Sequence, residues 1–129
     1  MRRVQPIFDH LHEHVRSHFA PKFRARLKEG KASEFPERRN MAYCMMRKDN
    51  PELLIVVAPK MNNAPLDNIE GVLAHEFGHA VLFHNGHLDH TERQADQAAE
   101  ALFGAKIHYD RNLIQSTTRG IAPRPAFLG

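Results

Sequence analysis

The chain has 129 residues, 42% hydrophobic and 26% charged, with one cysteine, Cys44, which suits a single soluble domain without an intramolecular disulfide, in a reducing compartment. The formal net charge is +3, but the basic residues interleave with acids and lack stacking aromatics or zinc-finger spacing, so no nucleic-acid partner is expected. The N-terminal "MRRVQPIFDHLHEH" lacks a signal-peptide core and no segment approaches the ~18 apolar residues of a membrane span, so the expectation is a cytoplasmic protein with no membrane partner.

Apolar residues at Phe8, Leu11, Val15, Phe19, Phe23 and Leu27 recur every three to four positions. This predicts an amphipathic helix from Pro6 to about Glu29, kinked or broken at Pro21, with Gly30 as its stop. The polar "KASEFPERRN" reads as loop. "MAYCMMR" and "ELLIVVAP" are short, apolar and bounded by turn formers, which predicts two strands joined by a turn at Asp49-Asn50-Pro51.

After the loop "KMNNAP", a helix is predicted from about Leu66 to His84. Leu66, Ile69, Val72, Leu73, Phe77, Ala80, Val81 and Phe83 cover much of its circumference, as in a buried central helix. Asn85-Gly86 forms a natural C-cap. Thr91 opens the next helix with Gln94 at capping-box spacing, and Ala95, Ala98, Ala99, Leu102 and Phe103 form its apolar face up to Gly104. A short strand is predicted around Ile107–Tyr109, followed by a tail containing Gly, Pro and Arg. The tail is compatible with disorder, with packing across the domain, or with occupying a cleft. The organisation is one α+β domain, with an N-terminal helix in 1–30, a core in 40–104 and an extension in 105–129.

Within the most apolar helix stands "HEFGH", His75 to His79. Two histidines four residues apart face one side of a helix, about one turn apart, and neutral imidazoles bind zinc. Glu76 lies about 100° around the helix, beside the metal rather than on it, where it can act as a base toward an activated water. Burying these three polar groups without partners would cost several kcal/mol, which argues against a chance motif.

The third ligand is open to several residues. The pattern HExxHxxGxxH would need glycine and histidine where the chain has Leu82 and Asn85, so a third histidine at that spacing is excluded. Glu92 is favoured, since the short reversal "NGHLDH" makes the next helix a near neighbour. His87, Asp89, His90 and Glu100 are the other candidates. Asp96, one turn past Glu92, is placed to accept the free ring N–H of a ligating histidine, with His79 preferred.

"HEFGH" followed by "ERQAD" resembles the gluzincin clan of zinc metallopeptidases, whose signature is HExxH with a downstream ExxxD glutamate helix. The minigluzincins, small single-domain peptidases, are closest in size. "ERQAD" is also similar to the corresponding element of CAAX-prenyl endopeptidases and of phage-immunity type regulatory peptidases. The resemblance covers about Leu53 to Gly104. It implies a zincin-like arrangement of N-terminal helix, small β-sheet, active-site helix and glutamate helix. It also implies one Zn2+ ion and a peptide or unfolded-protein substrate. The strand Leu53, Leu54, Ile55, Val56, Val57, Ala58 would be the upper rim of the cleft, binding substrate backbone as an added strand. His108, Tyr109 and Arg111 would be the candidates for a second electrophile near the scissile carbonyl.

The function expected is therefore a zinc metallopeptidase. The alternative is a peptidase-like regulatory or interaction domain that binds metal with little turnover. Glu76 favours the enzyme, because a structural site needs no base beside an open position. A basic nucleic-acid-binding domain is the weakest reading. His10, His14 and His18 repeat at four-residue spacing without accompanying carboxylates and read as a solvated face. Met41, Met45 and Met46 read as core filler, and Cys44 as a buried thiol.

Overall fold

The computed structural model describes residues 1–37, 41–46 and 52–104. Within them lie helix α1 (Val4–His18), strands β1 (Ala25–Glu29), β2 (Ala42–Met46) and β3 (Leu53–Val57), and helices α2 (Leu66–His84) and α3 (Glu92–Phe103). This is a small α+β arrangement of three helices and a three-stranded sheet. No helix among the described residues is long and apolar enough to cross a membrane. The predicted strand around Ile107–Tyr109 and the turn at Asp49-Asn50-Pro51 lie outside the described residues.

The first helix is shorter than predicted. It ends at His18, and the segment read as its second half is β1. Proline at position 21 disfavours helical backbone at Ala20 and supplies no N–H. Beyond it, Ala25 is buried and Leu27 half-buried, while Arg26, Lys28 and Glu29 are exposed. The positions Phe19, Phe23 and Leu27 fitted a helical spacing by coincidence, and Phe19 is in fact exposed. Gly30 closes a strand rather than a helix. A side chain there would meet Phe35 at 2.8 Å and Val56 at 2.9 Å.

The sheet order is β1-β3-β2, with β1 parallel and β2 antiparallel to β3. All five residues of β3 are buried. Leu53, Ile55 and Val57 join the main core with α1 and α2, while Leu54 and Val56 join a smaller cluster with Phe35 and Ala58. A strand buried on both faces reads as an unbroken apolar run, as "LLIVV" does.

The topology also corrects the role carried over to Leu53–Ala58. Both hydrogen-bonding edges of β3 are already taken, by β1 on one side and β2 on the other. Ala58 donates its N–H to the Met41 carbonyl at 2.8 Å. This strand has no ladder edge for a substrate.

α2 is the central helix. Residues 71–80 are all buried, and only its two ends reach solvent. Phe77 points away from the two histidines into the core, 5.2 Å from Phe8 of α1 and 6.1 Å from Phe23 between ring centroids. Truncating a fully buried phenyl ring of this kind costs about 3–5 kcal/mol. The ring thereby fixes the rotation of α2 and so the direction of the opposite, polar face. Met41 and Cys44 are core residues, and Met46 packs partly against the same core.

Candidate metal centre

His75, Gly78 and His79 lie three and four residues apart, so they share one face of α2. That face meets α3 at close range. A Cβ at position 78 would lie 3.0 Å from the Ala95 carbonyl carbon, 3.2 Å from the Ala99 nitrogen and closer still to the Ala95 oxygen. Glycine inside a helix costs about 1 kcal/mol relative to alanine. Here its missing side chain lets the backbone of α3 lie directly against α2.

The connection between the two helices is equally determined by local sequence. Gly86, at φ 86°, takes the left-handed conformation that glycine tolerates. Its N–H reaches the Phe83 carbonyl at 3.0 Å, and the His87 N–H reaches the Leu82 carbonyl at 2.8 Å. This Schellman closure turns the chain back within a few residues. Thr91 then caps α3: its hydroxyl accepts from the Gln94 N–H at 3.1 Å while the Gln94 side chain accepts from the Thr91 N–H at 2.8 Å. Glu92, the first residue of α3, is thereby delivered to the histidine pair.

Three side chains converge. His75 Nε2 lies 3.1 Å from His79 Nε2 and 3.0 Å from Glu92 Oε1, and His79 Nε2 lies 2.9 Å from Glu92 Oε2. Among the described residues, these three form the one group of histidine, cysteine or carboxylate side chains gathered closely enough to hold a metal ion. His75 and His79 are buried and Glu92 is partly exposed.

The outer nitrogens of both rings are engaged. His75 Nδ1 is 2.7 Å from Asp96 Oδ1, and His79 Nδ1 is 2.7 Å from His90 Nε2. With both outer N–H groups donated away, the two Nε2 lone pairs face each other and a carboxylate. Such a group needs a cation between its members, either a proton or a metal. Ligands about 2.0–2.1 Å from a tetrahedral zinc are about 3.3 Å apart, so the observed separations are close to those of an assembled site.

Burial and the neighbouring charges pull the four ionisable groups of the cluster in different directions. Burial alone would depress His75, but hydrogen bonds to Asp96 and Glu92 outweigh it and raise its pKa to about 10. Burial lowers His79 to about 4, despite its contact with Glu92. Glu92 would be raised by burial, yet the two histidines hold it far below the usual carboxylate range. Glu76 is pushed up to about 8, chiefly by burial. Both its oxygens are buried without a hydrogen-bond partner among the described residues. An orphaned buried carboxylate ordinarily costs a few kcal/mol and calls for a specific reason.

His75, His79 and Glu92 come together, with Glu76 next to them in sequence and buried. Asp96 is present but supports His75, not His79 as preferred above. The two helices run in opposite directions, so one turn deeper into α3 is one turn earlier in α2. His87, Asp89 and Glu100 are not part of the ligand group, and His90 stands behind it. His108, Tyr109 and Arg111 lie outside the described residues. Cys44 is fully buried, and its thiol is raised well above its usual value by burial and then by the charge of Glu76, which keeps it unreactive.

No protein-family model, curated protein or solved structure matches this chain.

Gly78 was not singled out from sequence, and His90 was named only as a candidate ligand, not as the support of His79. Gly78 carried a signal, being a glycine inside an otherwise strong helix and on the face of the two histidines. His90 precedes the α3 cap, where an apolar staple residue is usual. A histidine there, buried against Phe83 at 4.9 Å, needed a polar partner.

The histidines of α1 are otherwise employed. His14 Nε2 contacts the Leu102 carbonyl at 2.8 Å, and His18 Nδ1 contacts the His14 carbonyl at 3.1 Å. His14 therefore anchors the end of α3 to α1, beyond the solvated role expected for it. His10 and His18 are exposed.

Proposed function

We propose that this protein is a zinc-dependent peptidase of the gluzincin kind, in which His75, His79 and Glu92 would hold one zinc ion and Glu76 is the catalytic base. The observation that carries this reading is the Glu76 carboxylate, fully buried beside the three ligands with both oxygens unpartnered among the described residues. A structural zinc site is closed by four protein ligands and has no use for such a group. The donor set of two imidazoles and one carboxylate leaves a coordination position open, as hydrolytic zinc sites do.

When bound, zinc would polarise a carbonyl and lower the pKa of water towards ~7. Glu76 takes the proton from the attacking water and returns it to the departing amine. A buried carboxylate whose oxygens have no other partner among the described residues is free to carry that proton in both directions. Asp96 fixes the His75 ring by accepting its Nδ1–H, and Glu92 contributes the negative charge that offsets the ion. An extended peptide has one strand edge close to α2, that of β2, which is the terminal strand on that side of the described sheet. Peptides or unfolded segments can present backbone to such an edge, and compact proteins cannot.

Protein stripped with a chelator and titrated with zinc tests this. One equivalent of bound zinc is expected to restore cleavage of an unfolded protein substrate. Failure to take up zinc, or cleavage undiminished by the chelator, would refute the proposal.

A further inference from the structure

His90 lies one residue before the cap of α3, and both of its ring nitrogens are engaged. Nδ1 is 2.7 Å from the His87 carbonyl oxygen, and Nε2 is 2.7 Å from His79 Nδ1. A carbonyl oxygen can only accept, so His90 Nδ1 carries the hydrogen. In the neutral ring Nε2 then holds a lone pair, and His79 must donate its Nδ1–H to it. The only lone pair left on His79 is that of Nε2, which faces His75 and Glu92.

Gly86 reverses the backbone after α2, and this leaves the His87 carbonyl within reach of the His90 ring. The ring is wedged between Phe83 and His79, at centroid distances of 4.9 Å to each. It is 9% exposed, so water does not readily compete for its nitrogens.

We propose that His90 is a positioning residue of the metal centre, holding His79 in the tautomer and orientation in which Nε2 can ligate. This rests on the reading of His75, His79 and Glu92 as a metal site, but not on peptidase activity. The centre then has two unlike supports. His75 is backed by a carboxylate, Asp96, and His79 by a neutral imidazole mounted on the helix-connecting turn. Groups that orient ligating histidines typically contribute 10- to 100-fold, or roughly that, to metal affinity.

The test is zinc affinity, measured by competition with a chromophoric chelator, in the wild type, His90→Gln and His90→Phe. Glutamine can accept from His79 through Oε1 and donate to the His87 carbonyl through its amide, so near wild-type affinity is expected. Phenylalanine fills the space against Phe83 but accepts nothing, and a loss of about 10- to 100-fold is expected. A second measurement needs no variant. In the 15N-histidine-labelled wild type, a scalar coupling across the His79 N–H···N His90 hydrogen bond is expected.

Wild-type zinc affinity in His90→Phe, a glutamine variant no better than phenylalanine, or absence of the coupling overturns the role of His90 alone. A wild type that binds no zinc overturns the metal reading and the role of His90 with it.

Discussion

Gly78→Ala is the most informative single substitution, because two physical effects pull in opposite directions. Alanine is favoured over glycine inside a helix by about 1 kcal/mol, so propensity alone raises stability. Position 78, however, faces the backbone of α3. The new Cβ would lie 3.0 Å from the Ala95 carbonyl carbon, where carbon atoms rest about 3.5–4.0 Å apart, and it would crowd the carbonyl oxygen more closely still. Backbone cannot rotate away as a side chain can. α3 must therefore move outward by at least about 0.5–1 Å.

Overpacking of this kind costs about 1–3 kcal/mol, which leaves a net destabilisation of at most about 2 kcal/mol. The metal centre is less forgiving. Ligand distances tolerate only about 0.2 Å, so the shift takes Glu92 and Asp96 out of register with the two histidines. Zinc affinity should fall by at least about 10- to 100-fold while the fold survives. Chelator competition and urea unfolding on the same preparation read both quantities. Gain of about 1 kcal/mol in stability with zinc affinity intact, which is the outcome of propensity alone, would refute the close-approach role of Gly78.

Three further outcomes are expected. Glu92→Ala should retain little zinc after desalting, and normal zinc content would show that the third ligand lies elsewhere. Thr91→Ala removes the side-chain acceptor for the Gln94 N–H and should cost about 1 kcal/mol in denaturant unfolding; an unchanged midpoint would count against the cap. His12 accepts the Ala25 N–H through Nε2 at 3.2 Å, and burial followed by the charge of Arg16 lowers its pKa below 6.5. The folded state thus prefers the neutral ring, whose contribution is whole above pH 6.5 and is lost as pH falls below it. His12→Gln keeps an acceptor that does not titrate, so urea melts should show a shallower loss of stability on acidification than in the wild type.

The legible part of the fold was the part fixed by local rules. α2 and α3, their caps at Gly86, Thr91 and Gly104, and the convergence of Glu92 on the histidine pair follow from periodicity, capping chemistry and a short connection. The segment after Pro21 was not legible, because Phe19, Phe23 and Leu27 satisfy a helical spacing while Ala25 and Leu27 satisfy a strand alternation. Only pairing with β3, distant in sequence, decides between them. The central position of β3 was hidden for the same reason, since strand order depends on partners and not on the strand. At the site, the choice of His75 by Asp96 depended on the opposite directions of α2 and α3, which the short reversal implied and which the preference for His79 overlooked. His90 was visible as a ligand candidate, but its true place behind His79 depends on how the turn presents the His87 carbonyl.

Cleavage of an unfolded protein substrate by Glu76→Gln, compared with wild type at matched zinc content, tests the proposed chemistry most directly. The amide keeps the shape of the carboxylate and cannot take a proton. One zinc per chain in both proteins, with cleavage by the wild type alone, is the expected result. Equal cleavage by both, or none by a zinc-loaded wild type, would contradict it.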